Sequence, residues 1–217
     1  MTLSRFVAPG CCLLLAVSII SVKVSGQDLE RSVQRPLNLN LGDLSNRGSD
    51  KASIQPINSL ADGSVIQGAG TSVLRTRDGI FAWAHSQALP PTWAVTIWLV
   101  VFNYPNNCAT LPCTLNDLAN PAVEGSIHNI GGQVVGADGT ANYAAYRAVG
   151  DKLGVTTEPG GFGVGIVNPF GAQFNLVLRG HGAASGDPAV LKAQTSMFNG
   201  GCPAGGCTDL QRSRHLP

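Results

Sequence analysis

Few of the side chains that can bind a metal or carry acid–base chemistry stand close together in this sequence. The histidines are His85, His128, His181 and His215. Neutral imidazole is a common metal ligand, and the first three histidines fall on three separate predicted elements. One reading is therefore a metal site built from His85, His128 and His181, and with it a small metal-dependent or redox enzyme. No His-x-His pair occurs, so the copper–zinc superoxide dismutase pattern is missing. His215 lies in a polar C-terminal stretch. The plainer reading is that each histidine answers a local hydrogen bond.

The segment Arg179-Gly180-His181-Gly182 is the best site candidate. It closes a predicted strand, where loops collect functional groups, and its glycines allow backbone to approach a ligand closely. Arg179, His181 and the nearby Asn199 are the expected binding residues. The competing reading pairs Arg179 with an acid and hydrogen-bonds His181 to a neighbouring loop.

Cys108, Cys113, Cys202 and Cys207 form two pairs, each with four intervening residues rich in turn formers, ATLP and PAGG. An even number in an exported chain argues for disulfides. Three pairings are possible, and the local ones, Cys108–Cys113 and Cys202–Cys207, are preferred. A four-thiolate zinc site competes, although such sites more often space their cysteines by two residues. Cys11 and Cys12 belong to the leader described below.

Other chemistry is poorly supported. No Gly-x-Ser-x-Gly elbow is present. The run GGFGVG at 160–165 has no βαβ unit around it to cradle a phosphate. Asp138-Gly139 lacks the further acidic ligands of a calcium loop and reads as a hairpin turn. Paired carboxylates of the glycosidase kind are not evident. Trp83, Trp93 and Trp98 could stack on a sugar. Strand alternation assigns Trp83 and Trp98 to the core, and leaves Trp93, after two prolines, partly exposed. No cofactor is expected.

Elements able to position these residues are short strands. Only 12% of residues are charged, and there are 27 glycines and 13 prolines; low charge with many turn formers suggests strands joined by turns. Strand candidates are 72–77 and 80–87, joined by the hairpin signal Asp78-Gly79, then 94–103, 126–131, 133–136, 141–149 and 173–179. On the second of these, Phe81, Trp83 and His85 share one face. Residues 94–102 (AVTIWLVVF) are apolar on both faces, as a central strand would be. Residues 108–120 read as a loop with a helical turn. Asp187-Pro188 reads as a helix start with Asp as N-cap, and 189–197 as two helical turns. The fold class is mostly β: an antiparallel β-sandwich with a short helix near the C-terminus.

Residues 1–26 read as a signal peptide, with Arg5 before the apolar run CCLLLAVSIISV and a cleavage site after Gly26. A membrane anchor would need about 20 apolar residues. Residues 27–63 read as a polar linker or arm, to which the alternation 37–41 could add one edge strand; 64–207 as the domain; and 208–217 as a polar tail. Loss of 1–26 would remove two of fourteen basic residues, Arg5 and Lys23, and none of thirteen acids, leaving 12 against 13. No basic cluster is present for a nucleic-acid backbone, and the mature chain has no membrane span. The compartment is read as secreted or periplasmic.

A resemblance is carried by TIWLVVFN (96–103), Pro105, Cys108, Pro112-Cys113, Asp117-Leu118, residues 128–136, LVLRGHG (176–182) and FNGGC (198–202). In these the chain resembles a family of exported, uncharacterised bacterial β-rich proteins, over about 72–207. It is more faintly similar to chordin-type (CHRD) domains. The first likeness implies export and a β-rich fold, the second only fold class. The expected function is a non-enzymatic binding or structural module, its partner a cell-surface protein or polymer.

Overall fold

The computed structural model describes residues 50–151 and 161–217. The expected signal peptide, the alternation at 37–41 and most of the polar arm lie outside the described residues. Nine strands follow in chain order: β1 (Lys51–Ser59), β2 (Val65–Thr76), β3 (Gly79–Ser86), β4 (Trp93–Phe102), β5 (Gly125–Val134), β6 (Ala141–Ala148), β7 (Gly161–Gly163), β8 (Gln173–Ala183) and β9 (Thr208–His215). The helix α1 spans Pro188–Ser196. The strands form one antiparallel sheet in the order β6-β3-β2-β1-β9-β8-β4-β5-β7. The sheet curls on itself, so β5 and β6 pack together without being ladder partners. The mostly β class and the C-terminal helix are as expected, in one curled sheet.

The central strand β4 explains why two cores exist. Its odd residues Val95, Ile97, Leu99 and Val101 enter the main core with Val73, Ile80, Phe174, Leu176 and Leu178. Its even residues Trp98, Val100 and Phe102 face the other way, into a second cluster with Cys113, Val123, Ile127 and Val177. A strand buried on both faces needs a cover on each. On the second side the cover includes the 104–124 loop, and α1 packs against β4 and β5. The approach of α1 is close: a Cβ at Gly132 would run into the backbone of Thr195. Asp187 caps α1 as expected, its Oδ1 accepting from the Ala189 amide at 2.8 Å.

Three expectations require correction. The arm does not run to residue 63, because 51–59 form β1, laddered to β2 and β9. Residues 208–215 are no tail: β9 lies between β1 and β8 in the middle of the sheet. β1 looks polar because it is largely exposed, with Ile57 its one fully buried residue, and β9 because the layer it buries is polar. Gln211, Ser213 and His215 point inward and are fully buried. They are satisfied there, Ser86 Oγ donating to Gln211 Oε1 at 2.5 Å and Thr71 Oγ1 to Ser213 Oγ at 2.7 Å. Finally, the Asp138-Gly139 turn is not a β5–β6 hairpin. Asp138 Oδ1 accepts from Thr140 and tightens the turn, but β6 continues across to pair with β3 along its whole length.

Candidate functional site

The structure brings Arg179, His181 and Asn199 together at one end of β8. Arg179 and His181 face the loop that leads from α1 to β9, and Asn199 lies in that loop. Arg179 Nε donates to the Phe198 carbonyl at 2.9 Å, Nη1 to Asp209 Oδ1 at 2.6 Å and Nη2 to Asn199 Oδ1 at 3.1 Å. Its guanidinium also lies 4.1 Å from the centroid of the Phe198 ring, a cation–π contact. A planar fork with donors in fixed directions suits such a task better than an ammonium. Arg179 thus clamps both ends of the loop.

His181 is buried, and both its ring nitrogens are in contact. Nδ1 is 2.9 Å from the Gly200 carbonyl and 3.1 Å from Cys207 Sγ. A carbonyl only accepts, so Nδ1 carries the proton, and Nε2 accepts from Thr96 Oγ1 at 2.8 Å. Thr96 in turn accepts from Trp98 Nε1 at 2.7 Å. The chain Trp98–Thr96–His181–Gly200 ties β4 through β8 to the loop. Gln194 on α1 adds to it, donating to the His181, Ala183 and Gly201 carbonyls.

Two local disulfides are present, Cys108–Cys113 and Cys202–Cys207, with Cα atoms 5.5 and 5.0 Å apart. Their surroundings differ. Cys113 is fully buried, and the Gln173 amide holds both its backbone groups, accepting from its N–H at 2.9 Å and donating to its carbonyl at 3.1 Å. Cys202 and Cys207 are half-buried in a loop whose tip, 203–206, is exposed. Together with His181 they are the only group of three or more histidine, cysteine or acidic side chains among the described residues whose ligand atoms lie within 4.8 Å of one another.

The three-histidine site is not formed. His85 is exposed on β3, its Nδ1 2.7 Å from Asn142 Oδ1 and its Nε2 3.2 Å from Gln87 Nε2. His128 is fully buried on β5, and neither ring nitrogen has a hydrogen-bond partner among the described residues. Burial, with the Arg147 charge second, pushes its pKa down to about 4. His181 is occupied as above. The three sit on β3, β5 and β8; His85 and His181 bond their own neighbours, and His128 is packed without a hydrogen bond among the described residues.

Trp83 is also placed differently from the expectation. It is half-buried on the outer face of the sheet, while Trp98 is in the second core and Trp93 is half-buried. On that outer face Phe81 and Trp83 lie 5.9 Å apart with their ring planes inclined by 16°, and Tyr146 of β6 stands 4.7 Å from Phe81. Phe81 and Tyr146 are about two-fifths exposed, at 38% and 41%. The ladder sets Phe81 opposite Tyr146, Trp83 opposite Ala144 and His85 opposite Asn142. No Asp, Glu, Lys or Arg stands in these rows.

No family model, curated protein or solved structure matches this chain. The sequence signal for the outer face was present, since Phe81, Trp83 and His85 alternate on one side of β3. Missing from it was which side of β3 the sheet would bury. Ile80, Ala82 and Ala84 take the core side, and the larger side chains are left outside.

Proposed function

We propose that this chain is an exported, non-enzymatic binding module that takes a neutral glycan on the aromatic outer face of β3 and β6. The observation that carries the reading is the outward-facing group of exposed Phe81 and Tyr146 and half-buried Trp83 beside the amides of Asn142 and Gln87. Aromatic faces are electron-rich, and the C–H face of a pyranose is their natural counterpart. A sugar's hydroxyls need hydrogen-bond partners when water is displaced; His85, Asn142 and Gln87 offer both donors and acceptors. Rigid β backbone under the rings keeps the ordering cost of binding low. These ladder rows carry no Asp, Glu, Lys or Arg, and the nearby charge is the Asp138 carboxylate, which acts on His85; both favour neutral over acidic polymers. The two disulfides fit an oxidising compartment, and no helix among the described residues is long and apolar enough to cross a membrane. Arg179, His181 and Asn199 are assigned instead to framing the 198–207 loop, because they bond one another's segments within the protein.

The test is retention of purified protein on insoluble cellulose and chitin, wild type against Trp83→Ala/Tyr146→Ala, with folding checked by circular dichroism. Both side chains are partly exposed, so the variant is expected to fold. Retention by wild type and at least about tenfold weaker binding by the variant, roughly 1.4 kcal/mol, is the expected result. Equal retention of the two proteins, or none by wild type, overturns the proposal.

A further inference from the structure

We infer that reduction of Cys202–Cys207 opens a metal site in which Cys202, Cys207 and His181 bind a thiophilic d10 cation of the Zn²⁺ class. The inference stands on the three ligand atoms, which lie within 4.8 Å of one another. Two thiolates and an imidazole are a soft donor set with a known preference for such ions. With Zn–S bonds near 2.3 Å and Zn–N bonds near 2.0–2.1 Å, tetrahedral ligands stand roughly 3.5 Å apart. His181 Nδ1 is already 3.1 Å from Cys207 Sγ. The remaining changes are separation of the two sulfurs and release of the Gly200 carbonyl from Nδ1; the intervening tip Pro203-Ala204-Gly205-Gly206 is exposed and closed by one hydrogen bond, from the Gly206 N–H to the Pro203 carbonyl at 2.8 Å, which widening breaks. Cβ atoms added at Gly205 or Gly206 would meet nothing. The other disulfide has no histidine in such a group among the described residues.

A dithiol reductant delivers two electrons and two protons, the S–S bond breaks, and the reductant becomes a disulfide. The cation then displaces the two thiol protons to solvent. His181 must present the Nδ1 lone pair, so its proton moves from Nδ1 to Nε2. The structure holds the means for this reversal. Thr96 Oγ1, at 2.8 Å, can accept from Nε2–H as readily as donate to it, and its own proton then turns to the Arg179 carbonyl at 3.4 Å. A ligating histidine held at its far nitrogen by a fixed partner is the usual arrangement of metal sites, and Thr96 is itself fixed by the indole N–H of Trp98.

The experiment is Zn²⁺ titration of the full chain, oxidised and after phosphine reduction, with ¹⁵N spectra of the histidine rings and Co²⁺ as an optical probe. One equivalent should bind to the reduced protein, at least about 100-fold more tightly than to the oxidised one, with a thiolate-to-cobalt absorption and a large shift at His181 Nδ1. Cys202→Ser/Cys207→Ser, which retains Cys108–Cys113 and alters only half-buried loop positions, should lose that site. Thr96→Val should bind about 10–100-fold more weakly, the usual effect of losing such an outer partner. Binding that persists in the double serine variant, binding indifferent to reduction, or an unmoved His181 nitrogen would each overturn the inference.

Discussion

The guanidinium of Arg75 lies 4.6 Å from the centroid of the Phe174 ring, fully buried inside the main core. Nη1 donates to the Pro169 and Ala172 carbonyls, both at 2.7 Å, and Nη2 to the His215 and Leu216 carbonyls at 3.1 and 2.9 Å. Burial pushes its pKa down to about 10, so the group remains a cation at neutral pH. One side chain of β2 thereby closes the entry to β8 and the end of β9. Replacing Arg75 by Met would leave four carbonyls without their donor, and a loss of about 3–5 kcal/mol is expected. Urea unfolding measures it; a change below about 1 kcal/mol would show that the carbonyls find other partners.

Truncation after residue 207 is expected to abolish folding. A polar tail would be dispensable, but β9 pairs β1 on one side and β8 on the other. Its removal exposes both ladders and strands the donors of Arg75. Collapsed near-ultraviolet dichroism of the truncated chain is the expected observation, and a cooperative melt like that of the full chain would contradict it.

Stability should fall with acid between about pH 6.5 and 4. His128 and His215 both have folded pKa values near 4, chiefly through burial, and unfolded values near 6.5. Within that window the unfolded chain holds more protons. The contribution of the neutral rings is therefore full above about pH 6.5 and is lost as pH falls toward 4. Each shift corresponds to roughly 3 kcal/mol at most. His128→Leu should cost little at pH 7, since the ring has no hydrogen-bond partner among the described residues, and should flatten the pH dependence. Urea midpoints at pH 7 and pH 5 check this; equal slopes for wild type and variant would sink it.

Arg179 and Asp209 should show positive coupling. Their side chains are 12% and 27% exposed and meet at 2.6 Å. A double-mutant cycle of Arg179→Met and Asp209→Asn should give about 1 kcal/mol, more than an exposed pair and less than a dry one. Arg179→Met alone should also speed amide hydrogen exchange in the 198–207 loop, whose Phe198 carbonyl it holds. Unchanged exchange there would remove the clamp role.

How much of this was legible in the sequence varied with the kind of contact. Local pairing was: Asp187 at the start of α1, the β2–β3 hairpin and the two disulfides are settled by residues a few positions apart, although the hairpin turns at Arg77-Asp78, one residue before the expected Asp78-Gly79. The doubly apolar 94–102 run marked the strand buried on both faces. Long-range placement was not legible. TDLQRSRH has no apolar alternation, because Gln211, Ser213 and His215 are buried against Ser86, Thr71 and Ser53, partners 125 to 162 residues away. Nor could alternation in β3 say whether Trp83 or Ala82 faced inward, since each side of a strand is a self-consistent choice until its neighbours are known.

The sequence by itself determined a chain of short strands with two clipped loops, because turn residues and closely spaced cysteines act over a few bonds. Tertiary structure alone decided that His85, His128 and His181 stay apart while His181 meets Cys202 and Cys207. That meeting depends on the pairing of β8 with β9 and on the loop that α1 and Arg179 hold against β8, neither of which is encoded in any one segment.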